Sequence, residues 1–161
     1  MTITVKIADY EDPQDAAALL NILNSYSRDT MGQGHNLDPY VIENLIAELE
    51  DFPTAVSFLA YADGQPAGLA NCFLGLSTFS ARRLMNIHDL AVLPEFRGHG
   101  VGRKLLEAVE TRARQMRCCK ITLEVRDDNR AKALYLRHGY KPGTPEMLFW
   151  SKGLEVRGEG G

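Results

Sequence analysis

The sequence is poor in cysteine and has no long hydrophobic run. Its 161 residues include three cysteines, Cys72, Cys118 and Cys119, an odd number without the CxxC spacing of a metal or redox pair. The four histidines are scattered, so neither residue type predicts a metal site. No stretch approaches the roughly 20 apolar residues of a membrane span, and the first residues lack the regions of a signal peptide. We therefore expect a cytoplasmic protein with free thiols.

The sequence also lacks an excess of charge of either sign. The formal net charge is −3, with 24% charged residues. This balance offers no general attraction for nucleic acid or an anionic membrane, so we expect neither as a partner. The length and the 45% of hydrophobic residues suit one domain with a substantial core. We predict a single domain over residues 1–156 and, because the end of the chain is rich in glycine, a disordered tail over residues 157–161.

Hydrophobic periodicity predicts an alternation of strands and helices. Strands are predicted at Thr2–Ala8, Ala55–Tyr61, Ala67–Phe73, Ile87–Leu93, Ile121–Val125 and Glu146–Lys152. Helices are predicted to begin at Pro13, at Pro39, behind a glycine cluster that ends at Gly102, and at about Asn129. This order favours one α/β (α+β) domain, a mixed sheet with helices on its faces. Phe149 and Trp150 on the last strand are candidates for the core or for the contact of a homodimer.

The most informative segment is IHDLAVLPEFRGHGVGRK, from Ile87 to Lys104. Gly98, Gly100 and Gly102 lie between a predicted strand and a predicted helix. Such a turn leaves backbone N–H groups unpaired at the positive end of the helix dipole, and this geometry binds phosphate. The spacing GxGxG matches neither the nucleoside-triphosphate loop nor the dinucleotide fingerprint. The segment therefore predicts a loop for another phosphate ligand, or else only a glycine-rich helix entry with a solvated basic edge.

Two segments together resemble the GNAT superfamily of N-acetyltransferases. Arg97-x-x-Gly100-x-Gly102 is similar to the acyl-CoA pyrophosphate loop of that superfamily. The run LEVRDDNRAKALYLRHGY is similar to its next strand and helix, which end here in Tyr135, Gly139 and Tyr140. The resemblance implies a mostly antiparallel sheet that splays to hold acyl-CoA. It also implies acetyl transfer from acetyl-CoA to a primary amine of a small molecule or peptide; the alternative is a catalytically silent acyl-CoA-binding regulatory module.

The resemblance also implies roles for individual residues. Tyr135 would be the general acid that protonates the departing CoA thiolate, or else a half-buried core tyrosine. Asn129 would contact the donor, or else cap a helix. The remaining donor-binding residues, which act mainly through their backbone, would be Leu90, Ala91, Val92, Arg97, Gly98, His99, Gly100, Val101, Gly102 and Arg103. A backbone N–H near Leu90 or Ala91 would stabilise the oxyanion.

His88 and Asp89 are the candidates for handling the acceptor amine. The polyamine-acetylating branch of the superfamily has a Glu-Asp pair at this position, whereas another branch has a glutamate where this chain has Asn86. An imidazole changes charge near neutral pH and suits a base or water relay, and Asp89 suits a cation. Strand alternation predicts that the two side chains point to opposite faces. The resemblance further implies that residues around the loop between the first two helices line the acceptor pocket: Tyr26, Met31, His35 and Tyr40.

Overall fold

One five-stranded sheet organises the protein in a computed structural model, which describes residues 1–156. The strands are β1 (Ile3–Ile7), β2 (Ala55–Ala62), β3 (Gln65–Ser77), β4 (Arg82–Val92) and β5 (Lys120–Leu123). The helices are α1 (Pro13–Arg28), α2 (Pro39–Asp51), α3 (Val101–Gln115) and α4 (Lys132–Arg137), with a 3-10 turn at Pro94–Phe96. Strands follow one another in the order β1-β2-β3-β4-β5, antiparallel except for the parallel pair β4–β5. The predicted mixed, mostly antiparallel α/β fold is confirmed.

The two faces of the sheet carry separate apolar clusters. On one face, Leu105 and Val109 of α3 pack with Met85 and Ile87 of β4. On the other face, Leu19 of α1 belongs to a cluster that also contains Leu59, Leu69 and Ala91. We call this second side the α1 face. Each fully buried leucine contributes on the order of 2 kcal/mol, so these clusters fix both helices against the sheet and hold β4 between them.

The C-terminal part of the described chain differs from its prediction. Residues 146–152 form no strand, and Phe149 and Trp150 are 75% and 83% exposed, so their assignment to the core is wrong. Alternation along a segment shows which side chains share a face, but a strand also needs a partner for its backbone. Pro142 and Pro145 precede the segment and remove two backbone donors. The tail predicted over residues 157–161 lies outside the described residues.

Two features are absent from the described part of the chain. No helix within residues 1–156 has the length and apolar composition to cross a membrane. Within the same residues, no three side chains of histidine, cysteine, aspartate or glutamate gather into a group of the kind that holds a metal ion.

Candidate functional site

A cavity of about 470 Å³ opens where β4 and β5 part. The two strands pair in register as far as Ile87 and Leu123, and β5 ends there, whereas β4 continues to Val92. Residues 89–92 therefore pair with β3 on one side and leave their other edge open. The splay implied by the resemblance is present at this position.

Pairing with β3 determines which backbone groups reach the open edge. The Leu93 N–H donates to the Ala67 carbonyl oxygen at 2.9 Å, so this N–H points at β3. Direction alternates along an antiparallel strand, and Ala91 therefore also points towards β3. Leu90 and Val92 point their N–H and C=O groups at the cavity. Consistent with this, the Val92 carbonyl oxygen accepts a hydrogen bond from Arg97 Nε at 3.3 Å.

The glycine loop forms one wall of the cavity. Gly98 and Gly100 have φ angles of +80° and +87°, a left-handed conformation that strains residues with a Cβ. Within residues 1–156, the backbone N–H groups of residues 98–103 have no acceptor. Gly102 serves packing instead, because a Cβ there would lie 2.9 Å from Leu134 Cδ2. Unpaired N–H groups at the start of α3, in a loop whose left-handed positions favour glycine, fit the pyrophosphate of a CoA donor.

A half-buried carboxylate, that of Asp29, contacts two arginines beside this loop. Asp29 Oδ2 accepts hydrogen bonds from Arg97 Nη2 at 3.0 Å and Arg130 Nη2 at 2.8 Å, and Asp29 Oδ1 accepts from the Met31 N–H. Arg130, followed by the Met31 N–H, holds the pKa of Asp29 well below its usual range. Arg97 and Arg130 both line the cavity. No local pattern indicates Asp29 or Arg130 as site residues, because 101 positions separate these partners.

His88 and Asp89 lie on the same face of β4, so the prediction that they point to opposite faces is wrong. Asn71 pairs with Asp89 and Cys72 with Ile87, which leaves His88 as an extra residue in a β-bulge. Asn71 and Phe73 are two apart on β3 and share a face. The Asn71 side chain contacts Asp89, with Nδ2 3.0 Å from Oδ2, and the Phe73 ring lies 5.6 Å from the His88 ring. The bulge thus brings both polar side chains to the α1 face, where His88 lines the cavity and Asp89 is not among its lining residues.

Tyr135 lies on α4 with its ring buried, and it lines the cavity. Burial, aided by the neighbouring Tyr26, raises the pKa of Tyr135 to about 12, so the phenol keeps its proton throughout the physiological range. Its hydroxyl has no hydrogen-bond partner in the part of the chain that the structure describes. The ring of Tyr140 lies 6.0 Å away and supports Tyr135 edge to face. A protonated, unpaired phenol at a cavity wall can donate to a ligand.

Of the remaining predicted donor-binding residues, three line the cavity and His99 does not. The three are Val101, Arg103 and Asn129. Asn129 Oδ1 also accepts the Ala131 N–H at 2.8 Å, so the capping role is present. Arg103 Nη1 is paired with Glu107 at 2.9 Å. The His99 side chain is exposed and is not among the lining residues, so any role of this residue rests on its backbone N–H.

The resemblance implied that four residues around the loop between α1 and α2 line the acceptor pocket, and only two of them line the cavity. Tyr26 and Met31 line the cavity, whereas His35 and Tyr40 are not among its lining residues. The Tyr26 hydroxyl donates to the Met31 carbonyl oxygen at 3.4 Å, which holds the loop against the end of α1. Asn86 lies outside the lining as well and donates through Nδ2 to Thr122 Oγ1 at 3.0 Å, a contact between β4 and β5.

Comparisons with known proteins agree with this architecture. The chain is 31% identical over 131 residues to an uncharacterised N-acetyltransferase, YhfO, of Bacillus subtilis (strain 168), covering 81% of this chain and 86% of YhfO. Among solved structures, an aminoglycoside acetyltransferase from an uncultured soil metagenomic sample, in complex with sisomicin, matches with a TM-score of 0.76 at 14% identity, covering 95% and 97% of the two chains. A ribosomal-protein-alanine N-acetyltransferase of Brucella melitensis biovar Abortus 2308 matches with a TM-score of 0.68 at 17% identity, covering 96% and 99%. At these identities the two structures show the fold alone. The profile described as "Acetyltransferase (GNAT) family" matches residues 18–140, more than half of the sequence, and the chain belongs to that family.

Proposed function

We propose that the protein transfers the acetyl group of acetyl-CoA to a primary amine of a small molecule or peptide, by direct attack of the amine. The observation that carries this proposal is that one cavity combines three features. They are the unpaired N–H groups of residues 98–103, the open edge of β4, and the unpartnered hydroxyl of Tyr135. A phosphate site alone would need only the first of these features.

The residues present fit an acyl-CoA donor, which would supply an activated thioester carbonyl. The N–H groups of residues 98–103 would hold the pyrophosphate, with Arg97 and Arg130 adding positive charge. Leu90 and Val92 would pair with the pantetheine amides as an added strand would. The Leu90 N–H points towards the cavity whereas the Ala91 N–H points towards β3, and this favours Leu90 as the oxyanion donor.

The acceptor amine requires a different set of groups. A free alkylamine with a pKa near 10 is neutral in only about one part in 10³ at pH 7. Asp89 would attract the cation, and His88 would accept the proton directly or through water. As the N–C bond forms and the C–S bond breaks, the Tyr135 hydroxyl would donate a hydrogen bond to the sulfur. Because the pKa of Tyr135 exceeds that of a thiol by roughly 3.5 units, complete proton transfer is uphill by about 5 kcal/mol, and the hydrogen bond is the main effect.

An assay with free-thiol detection tests this function. Acetyl-CoA is combined with putrescine, tyramine, sisomicin or a short peptide with an N-terminal alanine, the last two chosen from the names of the structural neighbours. We expect thiol release that depends on at least one amine, and an acetylated product with a mass increase of one acetyl group. Acetyl-CoA should also raise the melting temperature in proportion to occupancy, whereas ATP and NAD should not. Donor binding without amine-dependent thiol release from any of these acceptors would favour the silent regulatory module.

A further inference from the structure

A chain of hydrogen bonds crosses three strands and ends at Asp89. Ser57 on β2 pairs with Asn71 on β3, which pairs with Asp89 on β4, so the three residues form one row on the α1 face. Ser57 Oγ lies 2.6 Å from Asn71 Oδ1, and Asn71 Nδ2 lies 3.0 Å from Asp89 Oδ2. Tyr10, from the connection between β1 and α1, extends the row, with its hydroxyl 2.8 Å from Ser57 Oγ.

The charge of Asp89 determines the direction of every bond in this row. An ionised carboxylate only accepts, so it must face the Asn71 NH₂ group rather than the amide oxygen. The amide oxygen then faces Ser57, whose hydroxyl donates to it. With its proton used in this way, Ser57 Oγ accepts from the Tyr10 hydroxyl. The donors therefore all point towards Asp89, and each bond polarises the next.

Stability does not account for this row. Ser57 and Asn71 are 1% and 3% exposed, on central strands that are otherwise lined by apolar side chains. Replacing two buried hydrogen-bonded partners by apolar groups of the same shape can be nearly neutral or even stabilising. These buried polar groups add little stability, but their hydrogen bonds end at the half-buried carboxylate of Asp89. Their effect is to fix the position of that carboxylate.

We propose that Asn71 is a positioning residue for acetyl transfer, which holds the Asp89 carboxylate on the α1 face, next to His88, in the orientation that binds the cationic acceptor amine. This inference rests on the proposed function and names a residue that acts through Asp89 rather than on the substrate. Without the Asn71 amide, the Asp89 side chain has no other hydrogen-bond donor within residues 1–156. It would then rotate among its rotamers and hold the amine less often.

The test is the kinetics of Asn71→Leu with whichever of the four acceptors turns over. We expect KM for the amine to rise about 10-fold, kcat to change less than 3-fold, and the thermal shift with acetyl-CoA to stay as in the wild type. Asn71→Ser, which stays polar but is too short to reach Asp89, serves if the leucine variant does not fold. A double-mutant cycle with Asp89→Asn supplies the decisive readout: once Asp89 is neutralised, Asn71→Leu should no longer affect KM.

A matched control separates positioning from general destabilisation. The Tyr61 hydroxyl, also on β2, donates to Asp15 at 3.2 Å and lies outside the row. Tyr61→Phe should lower the melting temperature and leave KM unchanged. A wild-type KM in both Asn71 variants, or equal effects of Asn71→Leu with and without Asp89→Asn, would overturn the inference while leaving the proposed function intact. Absence of turnover by the wild type with every amine would instead overturn the proposed function, and this inference with it.

Discussion

Replacing Tyr135 with phenylalanine removes a hydroxyl that the protein itself does not use. The hydroxyl has no partner within residues 1–156, so its loss leaves no buried group unsatisfied and should change the free energy of unfolding by less than about 0.5 kcal/mol. The catalytic cost is larger. A hydrogen bond to a group that becomes charged contributes about 1.5–3 kcal/mol, so kcat should fall roughly 10- to 100-fold while the affinity for acetyl-CoA changes little.

Tyr140 offers a matched control for this measurement. Burial raises its pKa to about 12 as well, and its ring packs on Tyr135, but it is not among the residues that line the cavity. Tyr140→Phe should keep wild-type kcat. The assay is thiol release under saturating donor and amine, together with thermal unfolding of both variants. If Tyr135→Phe retained more than half of the wild-type kcat, or if Tyr140→Phe lost as much activity, Tyr135 would be a core residue without a catalytic role.

Three further predictions concern the donor loop, the ion pairs beside it and the base. Gly100→Asp should abolish the thermal shift with CoA because it places a carboxylate at the proposed pyrophosphate site. Gly64→Asp, at a similar φ of +81° and with no atom within 4 Å of an added Cβ, should show the backbone strain alone and keep the shift. Because the folded-state pKa of Asp29 is lowered, its stabilisation is complete above the unfolded value near 4 and is lost progressively as the pH falls from there towards the folded-state value. Asp29→Asn should therefore cost about 1 kcal/mol at pH 7 and less in acid, measured by urea unfolding; the same loss at pH 7 and pH 3 would contradict this account. His88→Gln should remove a rise of kcat/KM for the amine with pH near neutrality, and an unchanged profile would show that the amine loses its proton to bulk water.

Features that depend on a single segment were predictable from the sequence. The helical spacing of five apolar side chains predicts the buried side of α3: Val101, Leu105, Val109, Ala113 and Met116. The first four are buried, whereas Met116, at the end of the helix, is half-buried against the same core. The glycine loop was equally predictable from the sequence, because a left-handed conformation such as that of Gly100 is a local requirement that favours glycine. The family resemblance then supplied the splay between β4 and β5, which no local pattern contains.

Features that depend on two distant segments were not predictable. The side of the sheet occupied by Asp89 follows from a bulge, and a bulge is a property of β4 paired with β3, not of the sequence of β4. The ion pairs of Asp29 join three loops whose order in space appears only in the fold. The wrong prediction of a strand at residues 146–152 has the same cause. The sequence shows the apolar alternation of this segment, but it does not show whether a neighbouring strand has a free edge to pair with it.

Two irregularities of β4 fall at neighbouring residues, and under the proposed function they would let one strand contact both the donor and the acceptor. Pairing with β5 stops at Ile87, and the bulge follows at His88. The first leaves backbone groups of Leu90 free in the plane of the sheet, whereas the second directs the side chains of His88 and Asp89 out of that plane, onto the α1 face. Because the plane and the face are perpendicular, side-chain changes on the face should not disturb the donor edge. His88→Gln and Asp89→Asn should therefore keep the full thermal shift with acetyl-CoA even where they impair the use of the amine, and a loss of that shift in either variant would show that the two sites are not independent.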